Sequence, residues 1–406
     1  MNLRPIASRL LPVLIALPAA LWAADPGVAS YRKLTLNDVF FSEGATFGDL
    51  NNDGKPDAIS GPYWWEGPDF KVRHEYYPAL PWDPLRYSDN FFAFTHDFNG
   101  DGWNDILVLG FPGVDASWYQ NPGAKGGPWR RNVVMLPVDN ESPTFGRVLG
   151  ADKPPVLLCT SRGRIGYATW DAKAPSTPWV FHPISPPGGW QRFTHGLGFG
   201  DVNGDGRNDI LEKDGWWEQP ASLAGDPVWK QHKFPFAGTP SRGGAQMYVY
   251  DVNQDGLGDV VTSLHAHGFG LSWFEQTRAT DGAISFKEHR ITSPVEAELI
   301  NGVQFAQLHA IDLVDFDGDG VLDILTGKRW WAHGPKGDAQ PDAAPVLYAF
   351  LLRRGANGTA NYVAHLIDNT TGVGTQIVAA DVNGDGRPDI VVGNKRGTAV
   401  LLSQKK

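Results

Sequence analysis

Six nine-residue segments of this chain share one spacing of oxygen-bearing side chains: DLNNDGKPD from Asp49, DFNGDGWND from Asp97, DVNGDGRND from Asp201, DVNQDGLGD from Asp251, DFDGDGVLD from Asp315 and DVNGDGRPD from Asp381. Oxygens at positions one, three, five and nine can converge on one hard cation, and the glycine at position six permits the sharp turn. The candidate ligands are Asp49, Asn51, Asp53 and Asp57, then Asp97, Asn99, Asp101 and Asp105, then Asp201, Asn203, Asp205 and Asp209. The later copies offer Asp251, Asn253, Asp255 and Asp259, then Asp315, Asp317, Asp319 and Asp323, then Asp381, Asn383, Asp385 and Asp389. Position seven varies (Lys55, Trp103, Arg207, Leu257, Val321, Arg387), as expected where only a backbone carbonyl is offered. The chemistry expected is calcium binding, with up to six ions. No Glu stands at position twelve and no amphipathic helix flanks any copy, so the pattern is not an EF-hand.

A second set emerges when the copies are aligned on their first Asp. Six residues earlier stand Glu43, Phe91, His195, Ala245, His309 and Thr375; twelve to fifteen residues later stand Lys213 and Asp214, His265, Lys328 and Arg329, and Lys395 and Arg396, with His267 just beyond. In a strand–loop–strand hairpin both sets lie at the end opposite the acidic loop. Glu43, His195, His309, His265, Lys213, Lys328 and Arg329 are therefore expected around one mouth of a central channel. Such a mouth suits a small polar or carbohydrate ligand, and with Glu43 and two or three histidines it also suits one transition metal.

Short apolar stretches precede and follow every loop (FFAFT and ILVL, MYVY and VVTSL), which reads as strand, turn, strand. Successive first Asp residues lie 48, 104, 50, 64 and 66 positions apart, so the gap of 104 holds two periods. A degenerate third unit at about 140–185 fills it. Aromatic motifs recur as YWWEGP at Tyr63, WYQNPG at Trp118, WWEQP at Trp216, WFEQ at Trp273 and WWAHGP at Trp330, each expected to be a third strand and its exit turn. Fourth strands such as VWKQHKF and FKEHRIT follow, and YRKLTL at Tyr31 is expected to complete the last unit. The sequence thus predicts an all-β, seven-bladed β-propeller over residues 31–406, closed by its N-terminal strand.

Residues 1–23, MNLRPIASRLLPVLIALPAALWA, read as a secretory signal, so the protein is expected to be periplasmic or extracellular. No other stretch suits membrane insertion. The formal charge of -10 includes nineteen Asp in the six loops, and no basic stripe suggests nucleic acid. The one cysteine, Cys159, excludes an internal disulfide and any Cys-cluster metal site. GLGFG at Gly196 lacks a following helix and reads as small residues on a crowded inner strand rather than a nucleotide loop.

The repeated D-x-N-x-D-G-x-x-D resembles that of the FG-GAP/VCBS repeat proteins. The strings NFFAFTHDFNGDGWNDILVLGFPG, MYVYDVNQDGLGDVVTSLHAHGFGLSWFEQ and LHAIDLVDFDGDGVLDILTGKRWWAHGP are similar to the propeller portion of aldos-2-ulose dehydratase-like proteins. That resemblance implies a carbon–oxygen lyase acting on an oxidised or anhydro sugar, although the cupin domains joined to the propeller in those enzymes are not found in this sequence. Two readings stand side by side: a calcium-binding interaction module, with no protein partner identified by the sequence, and a sugar dehydratase whose site is the channel mouth.

Overall fold

The computed structural model describes residues 30–238 and 242–404; the signal reading of residues 1–23 falls outside them. The described chain is all-β apart from three single-turn 3-10 segments. Antiparallel meanders follow one another, each running outward from a first strand beside the channel. Four of them are each built of four strands consecutive in sequence: Thr46–Gly48 to Arg73–Glu75, Phe92–His96 to Arg130–Val138, Thr144–Gly146 to Val180–Pro183, and Ile311–Val314 to Ala360–Asp368. A fifth comprises Ile377–Ala380, Asp389–Asn394 and Gly397–Gln404, with Ser30–Asn37 as its outer strand. There Tyr31 pairs with Ser403 and Leu34 with Val400, joining the two ends of the described chain in one sheet.

The remaining strands correct the seven-bladed expectation. They form one continuous eight-stranded sheet, so the described residues make five four-stranded blades and a separate larger sheet. The join is a parallel pairing of Leu197–Gly200 with Gln246–Tyr250, in which Gly198 sits opposite Met247. Its cause lies in the LGFG sequence. A Cβ on Gly198 would stand 1.8 Å from the Met247 carbonyl oxygen, and one on Gly200 would stand 2.5 Å from Val249 Cβ. Without those side chains the two backbones come close enough to hydrogen-bond, where other first strands are held apart.

Between the sheets the core is aromatic and aliphatic, as where Phe98, Trp118 and Trp179 pack across two blades. The outer strands, which are polar, are fastened differently. Trp64, Trp216 and Trp273 stack on their cross-strand partners His74, His232 and His289 at ring separations of 4.0, 3.9 and 4.3 Å. Glu66, Glu218 and Glu275 each take that histidine's Nε2 at 2.7 to 2.8 Å. Each outer strand thus gains a ring stack and a polar tie where it has little to bury. The motif WWAHGP departs from this scheme. It is not a third strand: Leu347–Arg354 takes that place, and Trp330 to Val346 form an inserted loop over the channel end.

Two outcomes test these interactions. Gly198→Ala should destabilise the protein by about 1–3 kcal/mol through overpacking at the join, read as a lower Tm. Hydrogen bonds from His232 and His289 hold the Glu218 and Glu275 carboxyls below their ordinary value. Their stabilising contribution is therefore present above the unfolded pKa of about 4.3 and is lost as pH falls through the lower folded values. The double variant Glu218→Gln, Glu275→Gln should flatten the fall in Tm below pH 4; an unchanged slope would remove these pairs from the acid response.

Candidate functional site

The acidic loops all lie at one end of their hairpins, and their geometry repeats. The first Asp accepts the position-six N–H at 2.8 to 3.0 Å in every copy, from Asp49–Gly54 to Asp381–Gly386. Each position-six glycine has φ between +80° and +87°, the left-handed region that favours glycine. Position-five Oδ1 accepts the N–H of position seven, from Lys55, Trp103, Arg207, Leu257, Val321 and Arg387. Asp315, Asp317 and Asp323 bring carboxylate oxygens within 4.8 Å of one another. Position seven is less passive than its variability suggests, because the Arg207 and Arg387 side chains fold back onto Asp205 and Asp385.

Position nine is fully buried in all six loops. One oxygen accepts the N–H of position two (Leu50, Phe98, Val202, Val252, Phe316, Val382). The other reaches a backbone N–H at or just after the third strand, on Gly67, Asn121, Gln219, Gln276, Leu352 or Ser403. Burial pushes Asp57 up to about 6 and Asp105, Asp209, Asp259 and Asp323 up to about 7, against the lowering effect of those N–H groups.

At the opposite channel end the structure gathers His195, His267 and His309, whose ring nitrogens lie within 4.8 Å of one another. His195 precedes the strand Leu197–Gly200 and His309 precedes Ile311–Val314, so both hang from first strands. His195 Nε2 stands 3.0 Å from His267 Nε2, and the His267 and His309 ring centroids are 4.6 Å apart. The Gln307 carbonyl lies 3.3 Å from His309 Nδ1 and can only accept, so that nitrogen carries the proton; Nε2 is then a lone pair, buried and without a partner. Asp338 Oδ1 lies 3.2 Å from His267 Nδ1, poorly aligned for a hydrogen bond yet close enough to favour the proton there. Burial, with help from neighbouring His267 and Arg329, holds His195 and His309 well below the ordinary imidazole range. His309 Nε2 thus offers a free lone pair beside the hydrogen-bonded His195 and His267 rings, which makes the group a potential metal site. The 3.0 Å separation of the His195 and His267 Nε2 atoms is that of a hydrogen bond in which one ring donates to the other.

Beside this cluster runs a buried charge array. Arg329 Nη2 donates to Glu43 Oε2 at 2.6 Å, its Nη1 lies 3.7 Å from Glu141, and Lys395 Nζ stands 4.0 Å from Glu43 Oε1. Burial would lower the guanidinium, but Glu43 and Glu141 hold it above its ordinary value. Burial lowers Lys328 and Lys395 to about 8 and raises Glu141. A cavity of about 360 Å³ opens onto these groups, lined by Glu141, His267, Arg329 and His333 with Tyr87, Phe111, Phe193 and Ala332.

Of the residues expected at the mouth, His195 and His309 meet, and Glu43 meets Arg329. Lys328 is buried, 3.5 Å from the Arg329 carbonyl. His265 stands outside the triad, 6.3 Å from the His267 ring, and Lys213 is paired with Asp214. Phe91 and Ala245 are core residues, and Thr375 bonds backbone carbonyls. Sequence reasoning missed His333, Asp338 and Glu141. His333 Nδ1 lies 2.8 Å from Asp338 Oδ1, and those two with His267 make a second close group. Although burial would raise the Asp338 carboxyl, His267 and His333 hold it well below the ordinary range. The visible signal was HGPKGD, hidden by reading WWAHGP as a strand. Gln307 also went unnoticed: at φ +64° it ties His309, Gly268, Arg329, Ala332 and Ala339 together.

Among the described residues no helix is long and apolar enough to cross a membrane. Loops gathered at one end of an all-β propeller suit an interaction module, and its histidine groups are potential metal sites. Residues 373–403 match the FG-GAP repeat family. Over 180 residues the chain is 26% identical to human phosphatidylinositol-glycan-specific phospholipase D, a match covering 40% of this chain and 19% of that protein. The chain thus spans about a fifth of the length of that curated relative. Its fold is similar to the extracellular domain of a putative one-component system from B. thetaiotaomicron, with a TM-score of 0.45 and 11% identity over 92% of this chain and 40% of that one. These likenesses reach an FG-GAP-type repeat and are not specific to aldos-2-ulose dehydratases.

Proposed function

We propose that this chain is a metal-dependent carbon–oxygen lyase acting on an oxidised or anhydro sugar at the channel end, and that calcium in the six acidic loops supports the fold. The observation that carries the first part is the convergence of His195, His267 and His309, two of them neutral through burial and one with an unpartnered Nε2. Three imidazoles suit a borderline ion such as zinc, which when bound supplies Lewis-acid polarisation of a sugar carbonyl.

The remaining groups divide the proton work. His333 is half exposed at the cavity and held on Asp338 through Nδ1, which leaves Nε2 as the base that takes a proton from the carbon beside the carbonyl. Its position fits that role better than those of His195 and His309, which are buried. Glu141 lines the same cavity with its carboxyl raised by burial and can give a proton to the departing hydroxyl. The C–H pair becomes the new C=C bond, the β C–O bond breaks, and water leaves. Arg329 is committed to Glu43 and Glu141; with Lys328 and Lys395 it contributes positive potential toward a developing oxyanion.

For the calcium part, the supporting observation is the inward-facing oxygens of Asp315, Asp317 and Asp323 together with the position-nine carboxylates buried in every copy. An exported location, where calcium is plentiful, belongs to the same proposal. Excess EGTA should lower the Tm, and Asp205→Ala should reduce the calcium-dependent part of that stabilisation. Equal melting with and without chelator would defeat it. For the lyase, the full chain should retain about one equivalent of zinc or a similar metal beyond calcium by elemental analysis and should generate enone absorbance from keto- or anhydro-sugars. His309→Ala should lose both metal and absorbance while folding normally. Retention of the metal by that variant would sink the assignment.

A further inference from the structure

A second cavity, of about 680 Å³, adjoins the histidine cavity and shares Tyr87 and Phe111 as a common wall. Both volumes fall in the range of about 300–1,000 Å³ typical of small-molecule sites, and the histidine cavity is near its lower limit. The larger cavity has flat aromatic walls. Tyr77 and Tyr119 stack at 5.2 Å and 27°, Tyr87 and Phe111 lie 5.2 Å apart at 36°, and Trp82 stands at the rim, 37% exposed. Its polar groups form a fixed array: Arg131 Nη2 bonds Asp115 Oδ2 at 2.8 Å and Arg131 Nε bonds Ser117 Oγ at 3.2 Å. Asp89 and Arg86 also line it, so carboxylates and guanidiniums balance in number.

We infer that this cavity binds a neutral pyranose ring, and that the sugar processed at the histidine cavity is one end of a substrate of at least two rings. The inference rests on the lyase reading for what happens at that end, but the pocket stands on its own geometry. A pyranose presents an apolar face of C–H groups and a rim of vicinal hydroxyls, each both donor and acceptor. Aromatic planes match the face, and a carboxylate beside a guanidinium fork matches the rim. The charge balance disfavours a phosphorylated or uronic ligand, which would bring an uncompensated negative charge. The shared wall sets the order: a ring held against Tyr87 and Phe111 has its neighbour within the cavity of His333, whose ring lies 6.3 Å from that of Tyr87.

The test uses the metal-loaded full chain and titration calorimetry with cellobiose, maltose and xylobiose, each against its own monosaccharide. At least one disaccharide should bind about tenfold or more tighter than its monosaccharide. Trp82→Ala and, separately, Arg131→Ala should erase that ratio by weakening disaccharide binding, with metal content unchanged. Disaccharides that bind no better than monosaccharides, or a ratio that survives both substitutions, would overturn the inference. His309→Ala separates the two proposals: it should lose metal and enone formation yet keep the disaccharide preference. A preference kept in a protein that never forms enone would leave the pocket standing and remove the lyase.

Discussion

The position-nine carboxylate is the interaction on which the architecture turns. Each one is buried and accepts one backbone N–H from its own loop and another at the third-strand side of the meander. A loop so tied cannot slide relative to the sheet, so the register of the first three strands is set at one end. The anchor is costly when it lacks a counter-charge, because burial raises all six carboxyls, Asp209 and Asp259 among them to about 7. A cation among the position-one, -three and -five oxygens would supply that charge. The same arrangement that fixes strand register is the one on which the proposed ion would act, so a mutation at this position would disturb both.

Anchoring one end releases the other. With register set beside the acidic loops, the segments at the far end are free to lengthen without disturbing strand pairing. The insertion from Trp330 to Val346 uses this freedom and carries His333 and Asp338 over the channel. Gln307 then holds that insertion to the first-strand end bearing His309, through bonds to Ala332 and Ala339. Side chains from distant parts of the chain meet there because first strands converge on the channel, as Gln376 demonstrates by bonding both the N–H and the carbonyl of Ala93.

Much of this was legible in the sequence, for definite reasons. The acidic loops could be found because their side chains recur at fixed local spacing, and the placement of His195 and His309 at the opposite end followed from hairpin geometry alone. The joining of two meanders was not legible, since it depends on how closely Gly198 lets a strand from elsewhere approach, a distance that no local pattern encodes. The Trp330 motif misled because Trp-Trp marks third strands at Trp64 and Trp216, whereas Trp330 and Trp331 stack on each other at 3.9 Å in a loop. Glu141 carried no motif and became visible only through its partner Arg329.

The buried charges at the channel end follow a different economy from the acidic loops. Arg329, Glu43, Glu141 and Lys395 are all at least nine-tenths buried, and pairing does not in general repay the desolvation of such groups. Glu43 Oε1 and Arg329 Nε even lack hydrogen-bond partners. Stability alone would favour apolar packing here, as in the inter-blade cores. What the charges provide is a fixed field in a region of low dielectric, where removing any one partner leaves another uncompensated. That field lies beside His195 and His309, which burial holds well below the ordinary imidazole range, and beside Glu141, whose carboxyl burial raises, so groups of opposed proton affinity stand close together at one end of the channel.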